Sequence, residues 1–164
     1  MTTTGGYITG YTDGSGRGLD YIAGQSPFDD ASVLDIWRLI HQNCVTSVVV
    51  MSRVIEEGTL KCTQYWPDIG KAEYGPFKVT VIDQFTYAHF TERLLSVKLR
   101  RRRNTNVLLV RIFCFTGWPD RGIPQDPVPL LEMRNRVRKT HGTDPNPILV
   151  HCETGQAGPP SLSL

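Results

Sequence analysis

Apolar residues in this chain recur at two spacings, and the changes between them predict the order of its elements. Tyr7-Ile8-Thr9-Gly10-Tyr11 suits a short strand, and Leu19 to Ala23 a second one that ends in a turn at Gly24-Gln25-Ser26-Pro27. Val33, Ile36, Trp37 and Ile40 follow helical spacing, with Asp29, Asp30 and Ser32 available as caps and Asn43 as the C′ residue. Val45 to Met51 suits a buried strand, and strand–helix–strand order predicts an α/β layer. From Phe77 the period is two: Phe77, Val79 and Val81 alternate with Lys78 and Thr80. Further strand-like segments are Phe85–Phe90, Leu94–Leu99 and Val107–Phe115. Leu130, Met133 and Val137, joined by Leu131, return to a helical stripe. Asp126 is its N-cap, Pro127 its first helical residue, and His141-Gly142 its close, with Arg136, Arg138 and Lys139 favouring the last turn. Ile148-Leu149-Val150, bounded by prolines before and a glycine after, has the makings of a central strand covered on both faces.

Composition narrows the function classes without choosing one. A chain of 164 residues, 40% hydrophobic and 21% charged, can bury a real core, and no linker or repeat divides it, so one domain over 1–164 is expected. A net charge of +2 implies no partner by itself. The longest apolar run, Val48 to Met51, is too short for direct membrane insertion, and Met1 to Gly6 has no signal-peptide character. Cys44, Cys62, Cys114 and Cys152 show no metal-ligand spacing; three are expected in apolar or strand-like surroundings, which suits a reducing, cytoplasmic setting. Gly14-Ser15-Gly16-Arg17-Gly18 lacks the ending of a phosphate-cradling loop and reads as a surface turn. Arg100 to Arg103 has no interleaved aromatic residues, so a solvated hairpin turn is favoured over a grip on nucleic acid or acidic lipid.

Two stretches carry candidate chemistry. Cys152 stands at the carboxyl end of the Ile148–Val150 run, where open α/β sheets bind their ligands. A thiolate needs a positive local field, which backbone amides turning from a loop into a helix supply. Phe115 to Pro124 holds two prolines and two glycines and therefore forms a loop, in which Pro119 fixes the backbone just before Asp120. Trp118 beside that carboxylate acts as a hinge and a desolvating wall, which would raise Asp120 toward use as a general acid.

Val150-His151-Cys152, with Gly155 three residues on, resembles the phosphate-binding loop of the protein tyrosine phosphatases: His-Cys, five variable residues, then Arg and Ser/Thr. Tyr21-Ile22-Ala23-x-Gln25-x-Pro27, Asp35-x-Trp37-Arg38, Lys61-Cys62-x-Gln64-Tyr65-Trp66-Pro67 and Trp118-Pro119-Asp120 resemble further stretches of that family, over about residues 7–152. The resemblance implies an α/β fold, a central mixed twisted sheet flanked by helices, incomplete at both ends relative to the family. It implies that Cys152 attacks the phosphorus of phosphotyrosine in a protein or peptide, with Asp120 protonating the leaving phenolate and then activating water. His151 helps to hold the thiolate, Trp118 and Pro119 support Asp120, and amides of Glu153, Thr154, Gly155, Gln156, Ala157 and Gly158 bind the phosphate oxygens. Glu57 and Lys61 help to order the general-acid loop. No metal and no cofactor is implied, and the setting is cytoplasmic, or the cytoplasmic side of a membrane receptor.

The pattern then departs from the family. Six residues after Cys152, at the family's arginine, stands Gly158; Pro159 replaces the hydroxyl residue, and Glu153 and Thr154 replace small ones within a divergent tail, 153–164. Loss of a bidentate clamp on the phosphoryl group costs on the order of 10³-fold in rate. The expectation is an impaired phosphatase, from a truncated or alternatively spliced product. The alternatives are a non-catalytic pseudophosphatase that binds or regulates phosphotyrosine signalling, and a scaffold that keeps only the fold.

Overall fold

The computed structural model describes residues 6–12, 18–51, 55–56, 59–60, 62–100, 106–117 and 125–152. β1 (Gly6–Thr12) and β2 (Gly18–Gln25) form an antiparallel pair. α1 (Asp30–Gln42) starts from a reciprocal cap: the Asp29 carboxylate accepts the Ser32 N–H at 2.8 Å, and the Ser32 hydroxyl accepts the Asp29 N–H at 3.0 Å. Its end corrects the sequence reading by one residue. Asn43 keeps a negative φ of −98° and donates its side-chain amide to Leu39 O, while Cys44 takes the left-handed conformation, φ 51°. Val45 N–H reaches back to Ile40 O and Cys44 N–H to His41 O, so Cys44 is the C′ residue of a Schellman turn. That turn leaves Cys44 exposed, contrary to the expectation of apolar surroundings for it.

β3 (Ser47–Val50) is buried throughout. β4 (Ile55–Glu56) and β5 (Thr59–Leu60) pair with each other apart from the main sheet. β6 (Lys71–Tyr74), β7 (Phe77–Thr86), β8 (Phe90–Leu99) and β9 (Leu108–Phe115) form an antiparallel meander, followed by α2 (Val128–His141) and β10 (Ile148–Cys152). Among the described residues the main sheet has eight strands, in the order β1-β2-β10-β3-β9-β8-β7-β6. β2, β10, β3 and β9 run parallel at its centre, and antiparallel strands flank them, which is the expected mixed sheet.

Other boundaries also move. Phe85–Phe90 is not a strand, because β7 runs through to Thr86 and the chain turns at 87–89. A register shift between Val81 and Asp83 throws the alternation out of phase, which makes one strand read as two. Pro127, not Asp126, caps α2, and Asp126 instead accepts the Val128 N–H from one place further out, at 2.9 Å. Leu131 is exposed, since the buried stripe of Met133 and Val137, with Leu130 against it, lies on another face. Gly142 closes the helix at φ 58°. Arg100 is exposed and pairs with Glu73 at 2.8 Å; the rest of the arginine run, and Gly14 to Arg17, lie outside the described residues.

The sheet separates two apolar clusters. Trp37, Ile40, Val48, Val50, Tyr65, Leu95, Ile112 and Leu149 share one, and Trp37 Nε1 donates to Tyr65 O at 2.9 Å. Val49, Phe90, Phe113, Phe115 and Ile148 share the other with Met133 and Val137 of α2. Leu149 is fully enclosed at the centre of the sheet. Leu149→Ala is expected to lower unfolding stability by about 2–5 kcal/mol through lost transfer energy and the residual cavity. Urea unfolding checks this: the midpoint falls at unchanged slope, whereas an unchanged midpoint would remove β10 from the core.

Candidate active site

β10 lies between β2 and β3, with Cys152 opposite Gln25 and His151 opposite Gly24 and Val50. The chains leaving both neighbours hold the strand end. Ser26 N–H donates to Cys152 O at 3.1 Å, and Met51 N–H to His151 O at 3.0 Å. Successive side chains alternate across the sheet, so His151 shares the Leu149 face with α1, while Cys152 follows Ile148 and Val150 on the α2 face. Cys152 is exposed there, at the carboxyl edge of the parallel strands. Of the other thiols, Cys62 and Cys114 are buried, and burial pushes Cys114 up to about 12, which makes it a poor nucleophile. Cys44 is exposed but sits in the short turn between α1 and the amino end of β3, not at the carboxyl end of a strand.

His151 is 1% exposed and bonded at both nitrogens. Nδ1 lies 2.9 Å from the Ser26 hydroxyl and Nε2 2.7 Å from the Tyr65 hydroxyl. Burial lowers its pKa to about 4, so the ring is neutral at neutral pH. A neutral imidazole donates from one nitrogen and accepts at the other, so one of the two hydroxyls accepts and the other donates. The residue expected to help hold a thiolate is therefore an uncharged strut on the opposite face. It can fix the strand end, but it supplies no positive charge. Ser26 and Tyr65 were not picked out from the sequence as site residues. The Tyr65 ring packs edge-on against Trp37 and Trp66, and the partner of its hydroxyl lies 86 residues away.

β9 leaves the same edge of the sheet, two strands over from β10, about 10 Å away at ordinary strand spacing. Its exit is fastened by Thr116 and Gly117, whose N–H groups donate to His89 O at 2.8 and 3.2 Å. Any side chain at Gly117 would crowd Phe115 and His89, since a Cβ would lie 3.1–3.2 Å from them. The topology thus brings the root of the Trp118–Pro124 segment and Cys152 to one edge. Trp118, Pro119 and Asp120 themselves lie outside the described residues, as do Glu57, Lys61, Glu153, Thr154, Gly155, Gln156, Ala157 and Gly158. Among the described residues, no His, Cys, Asp or Glu group is arranged to hold a metal, and no helix is long and apolar enough to cross a membrane.

The histidine strut has a pH signature. His151 titrates near 6.5 when unfolded and near 4 when folded, so between those values the unfolded chain binds more protons. Its contribution, about 3 kcal/mol at most, is complete above pH 6.5 and is lost as pH falls toward 4. His141, also lowered by burial, adds with the same sign. Urea midpoints measured from pH 7 to 4.5 should fall steadily, and a flat profile would mean that His151 is not buried. Tyr65→Phe leaves one ring nitrogen without its partner and is expected to cost about 1–3 kcal/mol, read by the same titration.

Comparison with known proteins agrees with this geometry. A profile described as "Protein-tyrosine phosphatase" matches residues 3–158. Receptor-type tyrosine-protein phosphatase S of Gallus gallus is 37% identical over 145 residues, 88% of this chain. Receptor-type tyrosine-protein phosphatase F of Rattus norvegicus and the Tyrosine-protein phosphatase Lar-like of Caenorhabditis elegans are 35% and 33% identical over the same share. The chain spans 9%, 8% and 6% of the lengths of these three relatives. With the mixed sheet, the strand-end Cys152 and the profile match over nearly its whole length, the chain belongs to the protein-tyrosine phosphatase family.

Proposed function

We propose that this chain is a single domain built for hydrolysis of phosphotyrosine in proteins, with Cys152 as nucleophile and Asp120 as general acid, and that Gly158 leaves its turnover low. The observation that carries the reading is the exposed Cys152 at the end of the central parallel strand, with His151 locked into the opposite face. The Cys152 thiolate forms a sulfur–phosphorus bond as the phosphorus–oxygen bond to the tyrosine breaks. Asp120 gives its proton to the departing phenolate. Asp120 then takes a proton from water, whose oxygen attacks the cysteinyl-phosphate, releasing phosphate and the thiolate.

Trp118 and Pro119 aim and desolvate Asp120, and amides from Glu153 to Gly158 receive the phosphate oxygens. Glycine at 158 offers no guanidinium for those oxygens, and the Glu153 carboxylate opposes a dianionic group. That substitution also supports a second reading, a pseudophosphatase that regulates phosphotyrosine signalling without turnover. Either role belongs on the cytoplasmic side, where phosphotyrosine proteins are found, and calls for no cofactor.

Hydrolysis of a phosphotyrosine peptide tests both readings. Gly158→Arg with Pro159→Thr is expected to exceed the unmodified chain by about 10²–10³-fold, and Cys152→Ser to abolish that gain. An unmodified chain as fast as the substituted one would refute the role given to Gly158. Silence from both, in folded protein, would favour the non-catalytic reading.

A further inference from the structure

The turn between β7 and β8, together with the first residues of β8, grips both flanks of the segment that carries Asp120. On one flank, His89 O accepts the N–H groups of Thr116 and Gly117, the last described residues before that segment. On the other flank stands Glu92, which is 0% exposed. One of its oxygens accepts from Arg136 Nε of α2 at 2.7 Å, and the other from Arg111 Nη1 of β9 at 2.6 Å. The Arg136 guanidinium lies over the Tyr87 ring, 5.8 Å from its centroid, and Tyr87 stacks on Phe90 at 4.4 Å. Tyr87, His89 and Glu92 thus tie one short stretch of chain to the strand that enters the segment and the helix that leaves it.

Burying a carboxylate between two guanidinium groups is a poor way to gain stability, because apolar residues of similar volume commonly do as well. What the fork does supply is geometry. Two charge-assisted bonds to different elements fix α2 against β9 in both position and rotation. Gly117 completes the fit, since a Cβ there would press on His89 and Phe115. We infer that the 87–89 turn and the start of β8 form a positioning element for the general-acid segment, with Glu92 and the His89 carbonyl setting where residues 118–127 begin and end relative to Cys152. This rests on the role proposed for Asp120, but its test does not depend on turnover.

The test is hydrogen exchange by mass spectrometry on the full chain. The chain carries 5-fluorotryptophan, and the Trp118 fluorine signal is assigned with Trp118→Phe. Glu92→Gln is expected to speed exchange across 116–127 by about tenfold and to shift the Trp118 signal, while exchange in Ser47–Val50 and Ile148–His151 stays unchanged. Uniform acceleration, or no change in 116–127, would overturn the inference and leave Glu92 a purely structural ion pair. If Glu92→Gln does not fold, Gly117→Ala decides, since it disturbs the other root and leaves both ion pairs intact. It should produce the same localised change, and its absence would again refute the coupling. A localised change combined with hydrolysis indifferent to Asp120→Asn would keep the clamp and remove the catalytic reading of Asp120.

Discussion

Parallel insertion of β10 between β2 and β3 brings five residues near the end of the described chain against partners about a hundred positions or more earlier. Ile148 and Leu149 fill opposite faces, so the strand joins both halves of the core. Such pairing is slow to form, because loop closure precedes any compensating contact. Once formed, it fixes the strand end from both sides through Ser26 and Met51. Cys152 inherits its position from that arrangement rather than from local turn chemistry.

The charges near this strand follow two different rules. Among the described residues, the His151 ring meets the hydroxyls of Ser26 and Tyr65, burial keeps it neutral, and its two hydrogen bonds satisfy both nitrogens. Glu92 is equally buried but meets two guanidinium groups, one from the sheet and one from α2. The first arrangement makes a rigid uncharged floor behind Cys152. The second locks a helix whose first turn follows the candidate acid loop. The two arrangements share no side chain, so each holds its own part of the fold.

Much of this was legible in residue order. The helical stripe of Val33, Ile36, Trp37 and Ile40, the buried Val48 to Val50 run and the apolar strand ending in Cys152 all stand where spacing put them. What failed had local causes. The irregularity at Val81/Asp83 broke a period of two, and the Schellman turn moved the left-handed residue from Asn43 to Cys44. Ser26, Tyr65 and Glu92 were illegible as partners of the site because their bonds join residues 19 to 125 positions apart. No periodicity encodes a hydroxyl aimed at a histidine across the sheet.

The central claim is that the strand-end thiol is the group that takes the phosphoryl. The most direct test is acid quenching of a phosphotyrosine peptide reaction with the chain carrying Gly158→Arg and Pro159→Thr, followed by mapping of the trapped phosphate by mass spectrometry. The account predicts a phosphate on the peptide containing Cys152 and none when Cys152 is serine. Phosphate mapped to another residue, or hydrolysis that survives Cys152→Ser, would contradict it.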